Sequence, residues 1–193
     1  MQDLSAQKPE STLKPLPVPL LRLSKCLLRP FHSSDAASLV LAANTPNIRK
    51  WLSGVFPYPY SLSNAEYWLS ADVQDADNDF AIVALDNVTV MGGISLKPLT
   101  DIHYRSVTVG YWVAEKYWGQ GTMSEVVKAF CEKAFEIRPE LLRIQAEVID
   151  GNPGSGRVLE KAGFELECRR KWACEKNGVV YDCLEYVMLR KGC

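Results

Sequence analysis

The chain has 193 residues, of which 47% are apolar and 23% charged, and its formal net charge is −1. That is long enough to bury one real core and too neutral for a nucleic-acid-binding footprint. No apolar run approaches the ~18 residues of a membrane span, and no apolar stretch follows a basic start at the N-terminus. The expectation is therefore a cytoplasmic protein with neither membrane nor nucleic acid as partner, and either monomer or homodimer fits it.

Residues 1–19 hold Pro9, Pro15, Pro17 and Pro19 among polar neighbours and are predicted to be a flexible tail, with the domain over 20–193. Residues 20–31 read as a first strand ending near Pro30. Ser33 or Ser34 can cap a helix through Ala36–Ala43, and Ser61 or Ser63 a second one running to about Val73. Asn47–Leu52 adds a short turn, Phe56–Tyr60 is an aromatic loop broken by proline, and Asp72, Asp75, Asp77 and Asp79 mark a solvated loop. Phe80–Leu85 is an unbroken apolar run and Val88–Leu96 returns from it, which makes a hairpin. His103–Val113 is the next strand. It places Val107, Val109, Tyr111 and Val113 on one face and Thr108, Gly110 and Trp112 on the other. A long helix is predicted over Gly119–Arg138, where Met123, Val127, Phe130 and Ala134 recur at helical spacing and Pro139 marks the stop. Leu142–Ile149 alternates as a strand, Pro153–Ala162 is a short helix ended by Gly163, and two strands turn at Asn177-Gly178. The order implies one sheet with helices on both faces, and the connection through the long helix has room for a parallel crossover.

The chemistry concentrates at Tyr117–Ser124, where a strand ends, Gly119 and Gly121 follow, and a helix begins. The first turn of a helix leaves N–H groups unpaired and carries partial positive charge, and glycine lets a ligand approach the backbone. That combination suits a pyrophosphate. No lysine follows Gly121 as a Walker loop requires, and Ser124 stands where a dinucleotide fingerprint needs a third glycine. A plain strand-to-helix turn accounts for the same glycines equally well.

Four segments add weight to the phosphate reading. They are Leu28-Arg29-Pro30-Phe31 with Asp35-Ala36, then Gly110-Tyr111-Trp112-Val113 with Tyr117-Trp118-Gly119-Gln120-Gly121. After these come Asn152-x-x-Ser155-x-x-Val158-Leu159-Glu160-Lys161-x-Gly163-Phe164, and last Gly178 through Tyr181-Asp182 and Tyr186. In this order they resemble the GNAT acetyltransferase superfamily, and within it the branch similar to ribosomal-protein N-terminal acetyltransferases. The resemblance implies an α/β fold of the mixed α+β kind. Its single domain would hold a mixed, mostly antiparallel sheet of about seven strands, with helices on both faces and a splayed cofactor cleft.

The resemblance also implies acetyl-CoA as cofactor. Trp112 and Val113 would offer backbone to the pantetheine arm, and Trp118, Gly119, Gln120, Gly121, Thr122, Met123 and Ser124 would hold the pyrophosphate. Asn152, Ser155 and Lys161 would approach from the other side. Met123 is larger than the family's usual residue and is expected to narrow the approach; Thr108 stands where relatives often carry a carboxylate.

The implied reaction is attack of a primary amine, on a protein N-terminus or a small molecule, on the thioester. It needs a base for the amine, donors for the oxyanion and an acid for the thiolate. Ser155 is the candidate at the sulfur, with Tyr186 or Tyr181 as alternatives, and Glu147, Glu66 and His103 are candidate bases. Several have a plainer reading: Ser155 and Asn152 as helix-entry residues, His103 at a strand start, Glu66 on a solvated helix face; an ordered water chain is the alternative to all three bases. Trp51, Phe56, Tyr58, Tyr60 and Trp68 either wall an acceptor pocket or pack early helices onto the sheet, and packing is favoured. The acidic loop is either solvated or attractive to a cationic amine. The six cysteines form no Cys-x-x-Cys pair, and His32 and His103 lie far apart, so buried reduced thiols are expected rather than a metal site. An acyl-CoA-binding module without catalysis is the alternative function.

Overall fold

A computed structural model of the chain describes residues 15–54 and 56–192. Most of the expected tail thus lies outside the described residues, and residues 15–19 form neither helix nor strand. The first predicted strand is two: Leu21–Arg22 (β1) and Cys26–Pro30 (β2) pair antiparallel across a tight turn. β3 (Asp79–Ala84), β4 (Val90–Pro98) and β5 (Ser106–Val113) continue the antiparallel run. β6 (Arg143–Ile149) joins β5 in parallel, and β7 (Glu165–Lys176) and β8 (Val179–Leu189) complete one eight-stranded sheet in the order β1-β2-β3-β4-β5-β6-β8-β7. The count exceeds the expected seven because β1 is a separate short strand.

Helices cover both faces. On one lie α4 (Thr122–Ile137) and α5 (Pro153–Ala162), which bury Val126, Val127, Phe130, Ala134, Leu159 and Ala162 against Ile82, Ile94, Val107, Val109, Ile144 and Ala146. On the other, α1 (Ala36–Ala43) and α3 (Leu62–Trp68) bury Leu39, Ala42 and Ala65 against Leu27, Ala81 and Val83. Ser61 caps α3, accepting the Asn64 N–H while the Asn64 side chain accepts the Ser61 N–H. α2 (Pro46–Trp51) is a full helical element where only a turn was expected. The strand expected from His103 starts at Ser106, because Asp101–His103 winds into a 3-10 turn. Asn177 (φ 53°) and Gly178 (φ 77°) both take positive φ, the conformation a two-residue hairpin requires, and they turn β7 into β8 as predicted.

Phe56 stacks on Tyr60 with ring centroids 5.1 Å apart, and Phe31 meets Trp68 edge-on, so part of the early aromatic set packs on the sheet. No helix among the described residues is long and apolar enough to cross a membrane. Cys26, Cys131, Cys168, Cys174 and Cys183 are free thiols.

Burial pushes the Cys26 thiol up from 9.0 to about 11 and the Tyr60 phenol from 10.0 to about 12. The unfolded chain releases these protons at the ordinary values while the folded chain keeps them, so stability must fall at alkaline pH. The contribution of Cys26 is complete below about pH 9 and is lost as pH rises toward about 11. Urea unfolding is expected to show a steady midpoint from pH 7 to 8.5 and a falling one beyond it, with Cys26 contributing on the order of 1 kcal/mol to the decline. Cys26→Ala should flatten that decline.

Candidate active site

β5 is paired with β4 from Val107 to Val113, but it pairs with β6 only at Ser106↔Arg143, Val107↔Ile144 and Thr108↔Gln145. Past Thr108 the two parallel strands diverge, while β6 stays paired with β8 through Ile149↔Cys183. The gap is therefore a wedge with β5 as one wall and β6 as the other, and the side chain of Thr108 sits at its apex within 3.5 Å of Gln145 Nε2.

The groups facing the wedge follow from antiparallel alternation. The Ala114 N–H donates to Met91 O at 2.7 Å across β4, so the N–H and C=O of Val113 and Tyr111 point the other way, toward β6. The Trp118 indole donates to Val113 O at 2.8 Å and folds the loop back over the strand end. Trp112, expected to offer its backbone to the wedge, is turned away. It sits opposite Gly93 in the β4 ladder, and its ring meets Phe56 at 5.8 Å on the α1/α3 face. Tyr111 takes the place expected of Trp112, and the one-residue alternation of a strand is the signal that would have shown it.

The loop after β5 ends in Gly119 (φ 73°) and Gly121 (φ 78°), and Gly121 is the residue that caps α4. Space is open where a Cβ would stand at either glycine. Among the described residues, no acceptor takes the N–H groups from Gly119 through Ser124; the first regular bond into the helix is Glu125 N–H to Gly121 O at 3.2 Å. Thr122 is 1% exposed, and its hydroxyl has no partner. A buried hydroxyl without a partner beside a row of free donors is costly unless an acceptor completes it. These residues fit a phosphate group. Met123 does not narrow the approach as expected: its side chain is buried in the core beneath the loop, leaving only its backbone at the rim.

Sequence reasoning missed a second element of this loop. Ser24, between β1 and β2, donates from N and Oγ to Glu125 at 2.9 and 2.6 Å, and Lys25 Nζ donates to Gln120 O at 2.6 Å. The Ser24 hydrogen bonds hold the Glu125 carboxyl below its usual range, so the first turn carries an ionised acid tied down by Ser24, with the Lys25 cation added beside the loop. A contact between residues about a hundred positions apart leaves no local pattern to read.

On the far wall, Asn152 Oδ1 accepts the Ser155 N–H at 3.3 Å and starts α5. Ser155 Oγ lies 2.9 Å from the Tyr111 hydroxyl, a bond that crosses from the β5 wall to α5. Tyr186 lies beneath α5. Its hydroxyl donates to Glu160 Oε1 at 3.3 Å, and it approaches so closely that a Cβ on Gly156 would stand 2.9 Å from it. Lys161 is exposed in the last turn of α5, at the far end from Asn152.

A model of the acetyltransferase (GNAT) domain matches residues 25–165, a span that includes both walls and the loop. The chain belongs to the GNAT acetyltransferase family. Acetyl-CoA-dependent acetylation is the activity that membership carries. The chain is 33% identical over 109 residues to YjcK of Bacillus subtilis (strain 168), named as an N-acetyltransferase; the match covers 56% of this chain and 60% of that protein. It is 26% identical to YdaF of the same organism, named for ribosomal N-acetyltransferase activity, over 86% of this chain and 90% of that one. A solved structure of RimL, a ribosomal L7/L12 alpha-N-protein acetyltransferase in complex with coenzyme A, superposes with TM-score 0.75 at 21% identity, covering 89% of this chain and 98% of that one.

Within this GNAT domain the candidate bases separate. Glu147 lies on β6 opposite Glu185, and Arg170 Nη1 joins both at 3.0 and 3.3 Å. His103 is exposed in its 3-10 turn, and Glu66 is exposed on α3. The acidic loop is tied to the C-terminal end of α4 by Arg138, which donates to Asp77 O at 2.9 Å, a helix length away from the phosphate loop. α2 spans the mouth: Asn47 Nδ2 donates to Glu115 Oε1 at 2.7 Å just beyond β5, Trp51 covers Gly151 just beyond β6, and Lys176 from the hairpin donates to Arg49 O at 2.6 Å and to Leu52 O.

Proposed function

We propose that this chain transfers the acetyl group of acetyl-CoA to a primary amine, on a protein N-terminus or a small molecule, by direct attack in a ternary complex in the cytoplasm. The observation that carries the reading is the wedge between β5 and β6, which ends in a loop of free N–H groups. The N–H groups of Gly119–Ser124 and the Thr122 hydroxyl would hold the pyrophosphate, with Lys25 adding charge. The wedge-facing backbone of Tyr111 and Val113 would pair with the pantetheine arm. Bound acetyl-CoA supplies the activated acyl carbon and a thiol leaving group. The Val113 N–H then serves as donor for charge developing on the acyl oxygen.

Ser155 donates to the sulfur. Glu147 takes the amine proton directly or through water, and Arg170 fixes its carboxylate. Glu147 and Glu185 outnumber the single Arg170 between them, a local negative charge that attracts an ammonium group. Tyr186 supports α5 from beneath through Glu160.

The test is thiol release from acetyl-CoA across a panel of polyamines, aminoglycosides and N-terminal peptides. Release that depends on the acceptor is expected. Saturable CoA binding with no release on any acceptor overturns the reading and leaves a binding module.

A further inference from the structure

Tyr111 emerges from β5 beyond the last β5–β6 pair, and its hydroxyl reaches α5 at two points. It donates to Ser155 O at 3.2 Å, and it lies 2.9 Å from Ser155 Oγ. Both partners belong to one residue, so a small rotation of the phenolic O–H switches the donor between the carbonyl and the hydroxyl oxygen. With Tyr111 donating to the carbonyl, Ser155 spends its own proton on Tyr111. With Tyr111 donating to Oγ, the Ser155 proton is free to point into the wedge, and its oxygen stays satisfied.

Burial holds the Tyr111 hydroxyl far less acidic than an ordinary tyrosine, so it keeps its proton and acts as a donor throughout. Asn152 fixes the Ser155 backbone from the other side at 3.3 Å, which leaves the side-chain torsion as the freedom that Tyr111 controls.

We propose that Tyr111 is a positioning residue that aims the Ser155 hydroxyl proton at the departing sulfur; this rests on the role given to Ser155 above. No proton passes along the pair. In the transfer the amine nitrogen bonds to the acyl carbon and the C–S bond breaks with its electron pair on sulfur; Ser155 donates a hydrogen bond to that anion, and the sulfur takes its proton from water after release. The proton lost by the amine goes to Glu147 or to water.

The experiment compares kcat and KM of wild type, Ser155→Ala, Tyr111→Phe and the double variant, with thermal midpoints for each. Ser155→Ala is expected to lower kcat about 10- to 100-fold, as loss of a hydrogen bond to an anion does. Tyr111→Phe should lower kcat about 3- to 10-fold with the KM for acetyl-CoA unchanged, and the double variant should match Ser155→Ala within about twofold. A readout on the unaltered protein accompanies it: the 13Cζ resonance of Tyr111 in tyrosine-labelled enzyme should move on adding CoA and stay still with desulfo-CoA. Losses that multiply in the double variant, or a Tyr111 resonance that answers both ligands alike, overturn the inference and leave Ser155 its role. A Ser155→Ala enzyme with wild-type kcat overturns the role of Ser155 itself, and the inference with it.

Discussion

Gly121→Asp is expected to abolish CoA binding while leaving the fold intact. Gly121 sits at φ 78° as the cap of α4, with open space where a side chain would go. Aspartate tolerates left-handed backbone better than most residues, at a cost of about 1–2 kcal/mol. Its side chain would crowd the free N–H groups of Met123 and Ser124, in the place proposed for phosphate. The same charge would repel the diphosphate. Loss of those donors together with repulsion should cost at least about 100-fold in affinity, ~2.7 kcal/mol. Calorimetric titration with CoA checks it, alongside a thermal midpoint lowered by only a few degrees. Wild-type affinity in the folded variant would remove the loop from the cofactor site.

The second large effect lies far from the loop. Arg29 is 0% exposed and Asp35 2% exposed, and they meet in a two-pronged pair at 2.7 and 2.8 Å. Arg29 also donates to Asn87 Oδ1, Asn87 O and Pro30 O, and Asp35 accepts the His32 N–H, so the pair locks β2, the entry to α1 and the β3–β4 turn together. Asp35→Ala strands a buried guanidinium and is expected to cost roughly 3–5 kcal/mol. That is a large share of the roughly 5–15 kcal/mol that holds a domain folded. Denaturant unfolding measures it, and a loss under 1 kcal/mol would show that water reaches Arg29. Arg29-Pro30-Phe31 with Asp35 helped to identify the family, and the structure gives Arg29 and Asp35 a structural task.

What was legible in the sequence was local. The glycines before α4, the helical spacing of Val127, Phe130 and Ala134, the Asn152 cap and the Asn177-Gly178 turn all act on near neighbours, so short windows revealed them. The divergence of β5 from β6 was inferred from family likeness alone, because strand spacing is set by what packs on both faces. Its consequences were missed for the same reason. Tyr111 bonds to Ser155 across 44 positions and Lys25 reaches Gln120 across 95, contacts that exist only after the sheet has formed. The early break at Leu23–Lys25 is marked in the sequence only by the polar pair Ser24-Lys25, which one half-buried strand would accommodate equally well. Met123 misled in the opposite sense: its bulk predicts a narrowed loop, but helical direction carries that side chain into the core.

The central claim is that the loop and the wedge form one CoA site, and amide chemical shifts of 15N-labelled protein during a CoA titration test it most directly. The largest saturable shifts are expected at Gly119, Gly121, Thr122, Met123 and Ser124, joined by Tyr111 and Val113 on the β5 wall and by Ser155 on α5. Saturable shifts confined to other surfaces, or none at millimolar CoA, would contradict it.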